Sequence, residues 1–356
     1  MKTAIIGLPM VGKTSLFTIL TGVHQESRIG STAVRAGVSK VPDPRLDALA
    51  KLFEPPKITF ATVEYLDVPA VSKESLRDPS YVASLRVVDA FAHVLRLFED
   101  QTVPHEQGSV DPMRDLENVE TELILSDLMV VEKRLERLDK DRKKVKNPEL
   151  DREAELLEKC KSALEQDTPL RQLTLTDDEE KRIRGFQFLS QKPILYVLNV
   201  GEEDAPRLHE KEVEFRALLG SRANTAVTGV GGKIEAELAE LSPEESREYL
   251  VSYGLGESGL QRLISASYLL LGLMSFLTAG ETEVRAWTIP IGSTAVKAAG
   301  AIHSDFEKKF IRAEVVNWKS LVDLGGYPGV REKGLLRLEG KEYIVKDGDV
   351  LVIRHG

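Results

Sequence analysis

The sequence predicts an α/β fold with a mostly parallel sheet, and three observations support this prediction. Short apolar runs recur through the N-terminal part, stretches with helical spacing separate them, and a glycine-rich loop follows the first run. Apolar runs that alternate with helices are typical of a parallel sheet covered on both faces. At about 150 residues per domain, the 356 residues leave room for two or three domains.

The predicted strands have a near-continuous apolar or β-branched character. The first covers residues 2–6 and ends at Gly7, and helical spacing begins at Lys13. Three further strands are predicted over residues 58–66, 90–98 and 193–199. This alternation indicates a doubly wound core.

A segment of different character, residues 115–185, interrupts the predicted sheet. Its apolar residues recur at three- and four-residue spacing, beginning with Leu128, Val131, Leu135 and Leu138. Asn147-Pro148 breaks this pattern, which predicts two antiparallel helices in a coiled-coil hairpin. The tip of the hairpin, residues 132–146, holds eight Lys or Arg against four acidic residues. A solvated helical face and a surface for a charged partner such as RNA both fit this charge run.

The last part of the chain, residues 278–356, changes to short strands around one alanine-rich helix. Strands are predicted over residues 284–289 and 310–318, two more within 335–353, and a helix over 294–302. This length and spacing predict a small α+β domain.

Composition excludes several classes of protein. No apolar stretch approaches the roughly 18 residues that cross a bilayer, and the N-terminus lacks the apolar region of a signal peptide. The first of these absences predicts no membrane association. The single cysteine, Cys160, allows no internal disulfide, which agrees with a cytoplasmic location. The net charge of −9 argues against a nonspecific nucleic-acid coat.

The sharpest signal is the phosphate loop Gly7-Leu-Pro-Met-Val-Gly12-Lys13-Thr14, which lies between a predicted strand and a predicted helix. Gly7 and Gly12 let consecutive N–H groups point at phosphate oxygens beside the helix N-terminus. Lys13 would bring a positive charge to the β- and γ-phosphates, and the Thr14 hydroxyl would bind Mg²⁺. The motif predicts a P-loop nucleotide-binding domain over residues 1–114 and 186–277.

Asp67, at the end of a predicted strand, is the candidate for the carboxylate that holds the Mg²⁺ shell. GTPases usually have D-x-x-G followed by glutamine at this point, whereas this chain has Ala70 and Val71. Val71 cannot orient water by hydrogen bonding. We therefore assign catalytic roles to Lys13 and Asp67 only.

Base recognition rests on Asn199-Val-Gly-Glu202, where GTPases have N-K-x-D. The missing lysine and the longer Glu202 weaken a guanine contact, whereas the Asn199 amide can pair with adenine N6 and N7. A helix-capping role for Asn199 is the alternative. The sequence favours ATP over GTP.

In combination, these motifs resemble the YchF family, the Obg-like ATPases. The stretches that carry the resemblance are GLPMVGKTSLF, VPDPRLDALA, NVGE, KIEAEL, LTAGETEVRAWTIP, AAGAIHSDFEKKFIRAEV and LEGKEYIVKDGDVL. The resemblance implies a coiled-coil insertion and a C-terminal TGS domain with a β-grasp fold. It also implies a cytoplasmic ATPase that binds the ribosome or its RNA, with the hairpin tip and the TGS domain as contacts. We favour a monomer.

Site residues follow from the same resemblance, one position at a time. The phosphate-binding run covers Met10, Val11, Gly12, Lys13, Thr14 and Ser15. Val200 would make a backbone contact near the adenine. The switch residue that completes the Mg²⁺ ligands Thr14 and Asp67 falls on Ser31, with Thr32 as a neighbouring candidate.

The chain departs from the family at both segments that sense the γ-phosphate. Met10 stands where an asparagine is common, Ala70 replaces a glycine, and the stretch from Ser72 to Tyr81 is shorter. The first switch, residues 26–35, lacks the expected aromatic-proline and acidic-proline features. These departures concern hydrolysis more than binding, so the sequence predicts a slow ATPase, with a nucleotide-gated binding module and a GTPase as alternatives.

Overall fold

The computed structural model describes residues 1–23 and 34–356, which form two compact units. One unit comprises Met1–Val38 and Glu64–Leu270, and the other comprises Ser39–Val63 and Leu271–Gly356. The sequence did not indicate that Ser39–Val63 would group with the C-terminal residues. The division into three domains that the sequence indicates remains a prediction.

Strands and helices alternate along most of the chain. The strands are β1 (Lys2–Ile6), β2 (Arg35–Lys40), β3 (Ile58–Thr59), β4 (Thr62–Asp67), β5 (Ala90–Arg96), β6 (Ile194–Asn199), β7 (Thr225–Val230), β8 (Leu273–Ala279), β9 (Val284–Pro290), β10 (Phe310–Asn317), β11 (Arg337–Glu339) and β12 (Asp349–His355). The helices are α1 (Lys13–Thr21), α2 (Pro44–Phe53), α3 (Pro79–Arg86), α4 (Pro112–Arg142), α5 (Pro148–Glu165), α6 (Asp177–Ile183), α7 (Leu208–Leu219), α8 (Gly232–Leu238), α9 (Pro243–Ser252), α10 (Gly259–Leu270), α11 (Ala295–Ile302), α12 (Ser304–Lys308), α13 (Trp318–Asp323) and α14 (Tyr327–Glu332).

The first sheet has the strand order β2-β4-β1-β5-β6-β7. The pairs from β4 through β7 are parallel, and β5 and β6 are buried along their whole length. This confirms the α/β fold with a mostly parallel sheet. Because the five strands from β4 through β7 run in one direction, Gly7, Asp67 and Asn199 all lie at the carboxyl edge, where ligands of open α/β sheets bind.

The single strand expected over residues 58–66 is wrong. The chain forms β3 and β4 instead, and β3 pairs with β9 in the second sheet while β4 pairs with β1 in the first. Between them, the Ala61 carbonyl accepts a hydrogen bond from the Val41 N–H at 2.8 Å. A continuous β-branched run cannot show where a strand leaves one sheet for another, because both halves have the same period.

The predicted helical hairpin is present as α4 and α5. Its seam buries Val131 and Leu138 of α4 with Leu157 and Cys160 of α5. Across the seam, the Arg134 guanidinium donates two hydrogen bonds of 2.7 Å to the Glu153 carboxylate. The turn at Asn147-Pro148 is confirmed, since the Asn147 side chain accepts from the Glu149 N–H and caps α5. Burial raises the pKa of the Cys160 thiol to about 11.

The second unit has a mixed sheet in the order β11-β10-β12-β8-β9-β3. Helix α11 begins at the Thr294 cap and packs Ala298 and Ala299 into a core with Phe276 and Val315. This agrees with the small α+β domain expected from the sequence, to which β8 adds a strand. In the part of the chain that the structure describes, none of the helices has the length and apolar character needed to cross a membrane.

Candidate nucleotide-binding site

The loop between β1 and α1 has the backbone of a phosphate cradle. Gly7 and Gly12 have positive φ angles of 144° and 99°. A Cβ at Gly7 would lie 2.7 Å from the Val94 carbonyl oxygen, and one at Gly12 would lie 2.5 Å from Asn199 Nδ2. Both positions therefore require glycine. Met10 also has a positive φ, 59°, which asparagine adopts more readily than methionine does.

Lys13 is the first residue of α1, and its ammonium group is held inside the loop. Lys13 Nζ donates a 2.5 Å hydrogen bond to the Leu8 carbonyl oxygen, and the residue is buried. Burial lowers the pKa of Lys13 to about 8, while the charges of Asp67 and Glu106 oppose this shift. The protonation of Lys13 therefore depends on its burial and on the nearby carboxylates.

Thr14 and Asp67 meet at the same edge because β1 and β4 are neighbours, with Ile5 in register with Asp67. Thr14 Oγ1 donates a 3.0 Å hydrogen bond to Asp67 Oδ2. A hydroxyl and a carboxylate are oxygen ligands, and Mg²⁺ in nucleotide sites uses one or two such groups together with phosphate and water. The two residues therefore fit a Mg²⁺ ion that is bound with a nucleotide.

Arg35 is a residue of this site that sequence reasoning missed. Its guanidinium contacts the same Asp67 Oδ2 that accepts from Thr14, and it lies 5.3 Å from the centre of the Phe17 ring. Arg35 is the first residue of β2. The apolar pattern did not predict this strand, because it is short and its buried residues alternate with exposed ones. The proposed metal ligand Ser31, with Thr32, lies outside the described residues.

The second switch, the γ-phosphate-sensing segment that runs from Ala70 to Tyr81, keeps its backbone close to the phosphate loop at Val71. The Val71 N–H donates to the Gly7 carbonyl oxygen at 3.3 Å, and the Val71 side chain is buried. The Ala70 carbonyl accepts from Ser75 Oγ at 3.1 Å. The position of the usual glutamine is thus an apolar side chain packed into the protein, which supplies no hydrogen bond to a water molecule.

Asn199 ties two loops together. Its Nδ2 donates to the Val11 carbonyl oxygen at 2.9 Å, and its Oδ1 accepts from the Gly232 N–H at 3.0 Å. Gly12 and Gly232 leave room for the amide, since a Cβ at either position would lie within 2.9 Å of it. Nδ2 carries a second hydrogen in addition to the one donated to Val11. The structure thus gives Asn199 a bridging role that the sequence did not reveal.

The other two residues expected at the base lie next to Asn199 in the chain. The Val200 N–H donates to the Val230 carbonyl oxygen at 2.9 Å, so its backbone N–H is already used. Glu202 Oε2 accepts a 2.6 Å hydrogen bond from Lys233 Nζ, and this pairing raises the pKa of Lys233. Lys233 was not predicted, because only the fold brings the start of α8 to the end of β6.

Comparison with known proteins gives full-length matches. The chain is 41% identical over 363 residues to "Ribosome-binding ATPase YchF" of Bacillus subtilis, covering 99% of both sequences. The protein of the same name from Escherichia coli O157:H7 is also 41% identical, covering 98% of both. This chain belongs to the YchF family.

Two further comparisons agree with membership of the YchF family. The family model YchF-GTPase_C, described as a protein of unknown function (DUF933), matches residues 273–356. The solved structure of the Schizosaccharomyces pombe YchF GTPase superposes with a TM-score of 0.85 at 29% identity, covering 99% of this chain and 97% of that one.

Proposed function

We propose that this YchF protein binds ATP with Mg²⁺ at the carboxyl edge of the first sheet, prefers ATP to GTP, and hydrolyses it slowly. The observation that carries the proposal is the convergence of Lys13, Thr14 and Asp67 on one glycine-shaped loop. The names of the bacterial relatives, which call them ATPases, support the choice of nucleotide.

The loop residues have separate roles in this proposal. Lys13 turns from the Leu8 carbonyl to the β- and γ-phosphates, and the N–H groups from Met10 to Ser15 hold the remaining phosphate oxygens. Thr14 and Asp67 would hold the Mg²⁺ ion, which would neutralise phosphate charge when bound. These contacts position the γ-phosphate and stabilise charge in the transition state.

Hydrolysis is expected to be slow because the chain places Val71 where other P-loop enzymes orient water. Phosphoryl transfer depends mostly on positioning and electrostatics, so a low rate survives without that group. A nucleotide-gated binding module with little or no turnover is the alternative, and the altered sequences of both switches, at Ser31, Ala70 and Ser72 to Tyr81, favour it.

For the base, Asn199 and Glu202 argue for adenine. The pairing of Glu202 with Lys233 occupies the carboxylate that would otherwise accept from guanine N1 and N2. The Asn199 amide keeps one hydrogen for the adenine. The S. pombe relative is named a GTPase, so GTP is the nucleotide against which this preference has to be measured.

We also propose nucleotide-dependent association with the ribosome through the hairpin tip and the C-terminal domain. At the tip, Asp139 pairs with Lys143 and Asp151 pairs with Arg142. Within residues 1–23 and 34–356, no ion pair involves Lys140, Lys144 or Lys146, which are three exposed lysines of the tip. Unpaired lysines at an exposed tip suit RNA phosphates. The relatives' name supports this partner and a cytoplasmic location.

The proposal is tested by phosphate release from ATP by the purified protein, with and without ribosomes. We expect slow release that Lys13→Ala abolishes and that ribosomes change. If Lys13→Ala released phosphate as fast as the wild type, the proposal that this site hydrolyses ATP would be contradicted. Cosedimentation with ribosomes should depend on ATP and weaken when Lys140, Lys144 and Lys146 are replaced together by alanine; equal sedimentation of both proteins would contradict the hairpin contact.

A further inference from the structure

Arg35 contacts the carboxylate of Asp67, one of the two residues that fit a Mg²⁺ ion. Its guanidinium contacts Asp67 Oδ2, the oxygen that also accepts from Thr14 Oγ1 at 3.0 Å. The side chains are 13% exposed for Arg35 and 6% for Asp67. The contact is therefore mostly shielded from solvent, where charge interactions are stronger than at the surface.

We propose that Arg35 is a positioning residue that competes with Mg²⁺ for Asp67 and thereby sets the magnesium affinity of the site. This inference rests on the proposed function in taking Thr14 and Asp67 as the metal ligands. The Arg35 guanidinium places a full positive charge on Asp67 Oδ2, the oxygen that faces Thr14. Two cations beside one carboxylate repel each other, so Arg35 opposes a Mg²⁺ ion that approaches Asp67 directly or through its water shell.

The two cations differ in what they lose on reaching Asp67. A guanidinium is permanently charged and weakly hydrated, whereas Mg²⁺ gives up its water reluctantly. The Phe17 ring also supports the Arg35 side chain, at 5.3 Å from ring centre to guanidinium carbon. Since both cations interact with the same carboxylate and repel each other, the contact of Arg35 with Asp67 and the binding of Mg²⁺ weaken each other by the same factor.

Removal of the guanidinium should therefore strengthen metal binding. Mn²⁺ serves as the probe, because binding removes its free electron paramagnetic resonance signal. We expect full-length Arg35→Gln to bind Mn²⁺ at least tenfold more tightly than the wild type in the absence of nucleotide. The gain should disappear in the double variant Arg35→Gln with Asp67→Asn, since the metal then lacks its carboxylate.

Two further variants keep the test decisive. Arg35→Lys retains a cation on the same strand and should stay within threefold of the wild type. Lys40→Ala removes a cation from the other end of β2, where Lys40 lies over the Phe60 ring, and should not change Mn²⁺ binding. Equal Mn²⁺ affinity of Arg35→Gln and wild type, or the same gain in Lys40→Ala, would overturn the inference.

ATP binding by the wild type is measured separately by calorimetry, with Mg²⁺ and with EDTA. Failure to bind ATP would refute the proposed function, whereas a gain in Mn²⁺ affinity that depends on Asp67 would still support the role of Arg35. If ATP binds, the ratio of its affinities with and without Mg²⁺ should be at least tenfold larger for Arg35→Gln than for the wild type. An unchanged ratio would contradict the competition.

Discussion

The phosphate side and the base side of the site each contain one ion pair, and the two pairs differ in their exposure. Arg35 and Asp67 have side chains that are 13% and 6% exposed, whereas Lys233 and Glu202 are 71% and 33% exposed. Exposed pairs are screened and typically contribute about 0–1 kcal/mol, while shielded charges interact more strongly. Substitutions on the phosphate side should therefore change nucleotide and metal binding more than substitutions on the proposed base side.

Among the variants considered, Lys13→Ala should weaken ATP binding the most. Lys13→Ala removes a charged hydrogen-bond donor, which is worth about 1.5–3 kcal/mol, so ATP should bind roughly 10- to 150-fold more weakly. Calorimetry with Mg²⁺ measures this. Lys2→Ala is the matched control, because Lys2 pairs with Glu64 at 3.5 Å at the opposite end of β1. A similar loss in both variants would mean that Lys13 acts through general charge.

Asn199→Ala should destabilise the fold of the site, because Asn199 joins the two sides. The change leaves the Val11 carbonyl and the Gly232 N–H without their partner, and an unsatisfied buried group costs about 1–3 kcal/mol. Urea denaturation should show a loss of this size, accompanied by weaker ATP binding. Unchanged stability with weaker ATP binding would instead make Asn199 a base contact alone.

A rise in pH should weaken ATP binding because Lys13 loses its proton. Because its pKa is lowered by burial to about 8, Lys13 loses its charge between pH 7 and pH 9, and ATP affinity should fall about tenfold over this range. The unfolded chain keeps this proton up to the ordinary value of 10.5, so the contribution of Lys13 to the free energy of unfolding rises between about pH 8 and 10.5.

The control for this pH effect is Lys13→Arg, which stays charged over the whole range. Its ATP affinity should change less than twofold between pH 7 and pH 9 in the same calorimetric titration. A parallel fall in the wild type and in Lys13→Arg would place the responsible group elsewhere.

The smallest effect is expected on the base side. Lys233→Ala frees the Glu202 carboxylate to accept from guanine, so the preference for ATP over GTP should fall by roughly two- to fivefold, as befits an exposed pair. Arg207→Ala, which removes the exposed partner of Glu210, is the matched control and should leave the preference unchanged. An unchanged ratio in Lys233→Ala would show that Glu202 does not contact the base.

The phosphate loop could be predicted from the sequence because its chemistry is local. Gly7, Gly12, Lys13 and Thr14 lie within eight consecutive residues, and a strand and a helix frame them as expected. Arg35 and Lys233 could not be predicted in the same way. Each reaches its partner only because the fold brings distant segments to one edge of the sheet, and a single basic residue in a sequence carries no mark of that approach.

The same distinction holds for the fold: features set by neighbouring residues could be predicted, and features set by distant pairing could not. The hairpin could be predicted because its helical period and the Asn147-Pro148 turn are properties of neighbouring residues. The break between β3 and β4, and the grouping of Ser39–Val63 with the C-terminal residues, depend on pairing with β9, far along the chain. The hydrophobic period of a strand indicates which of its residues are buried. It does not indicate which sheet the strand joins.

The measurement that tests the central claim most directly is calorimetric titration of the full-length protein with ATP and with GTP, both with Mg²⁺. We expect both nucleotides to be held through the phosphate loop and ATP to bind at least about fivefold more tightly than GTP. Equal or tighter binding of GTP would contradict the adenine assignment of Asn199 and Glu202, and failure of both nucleotides to bind would contradict the site itself.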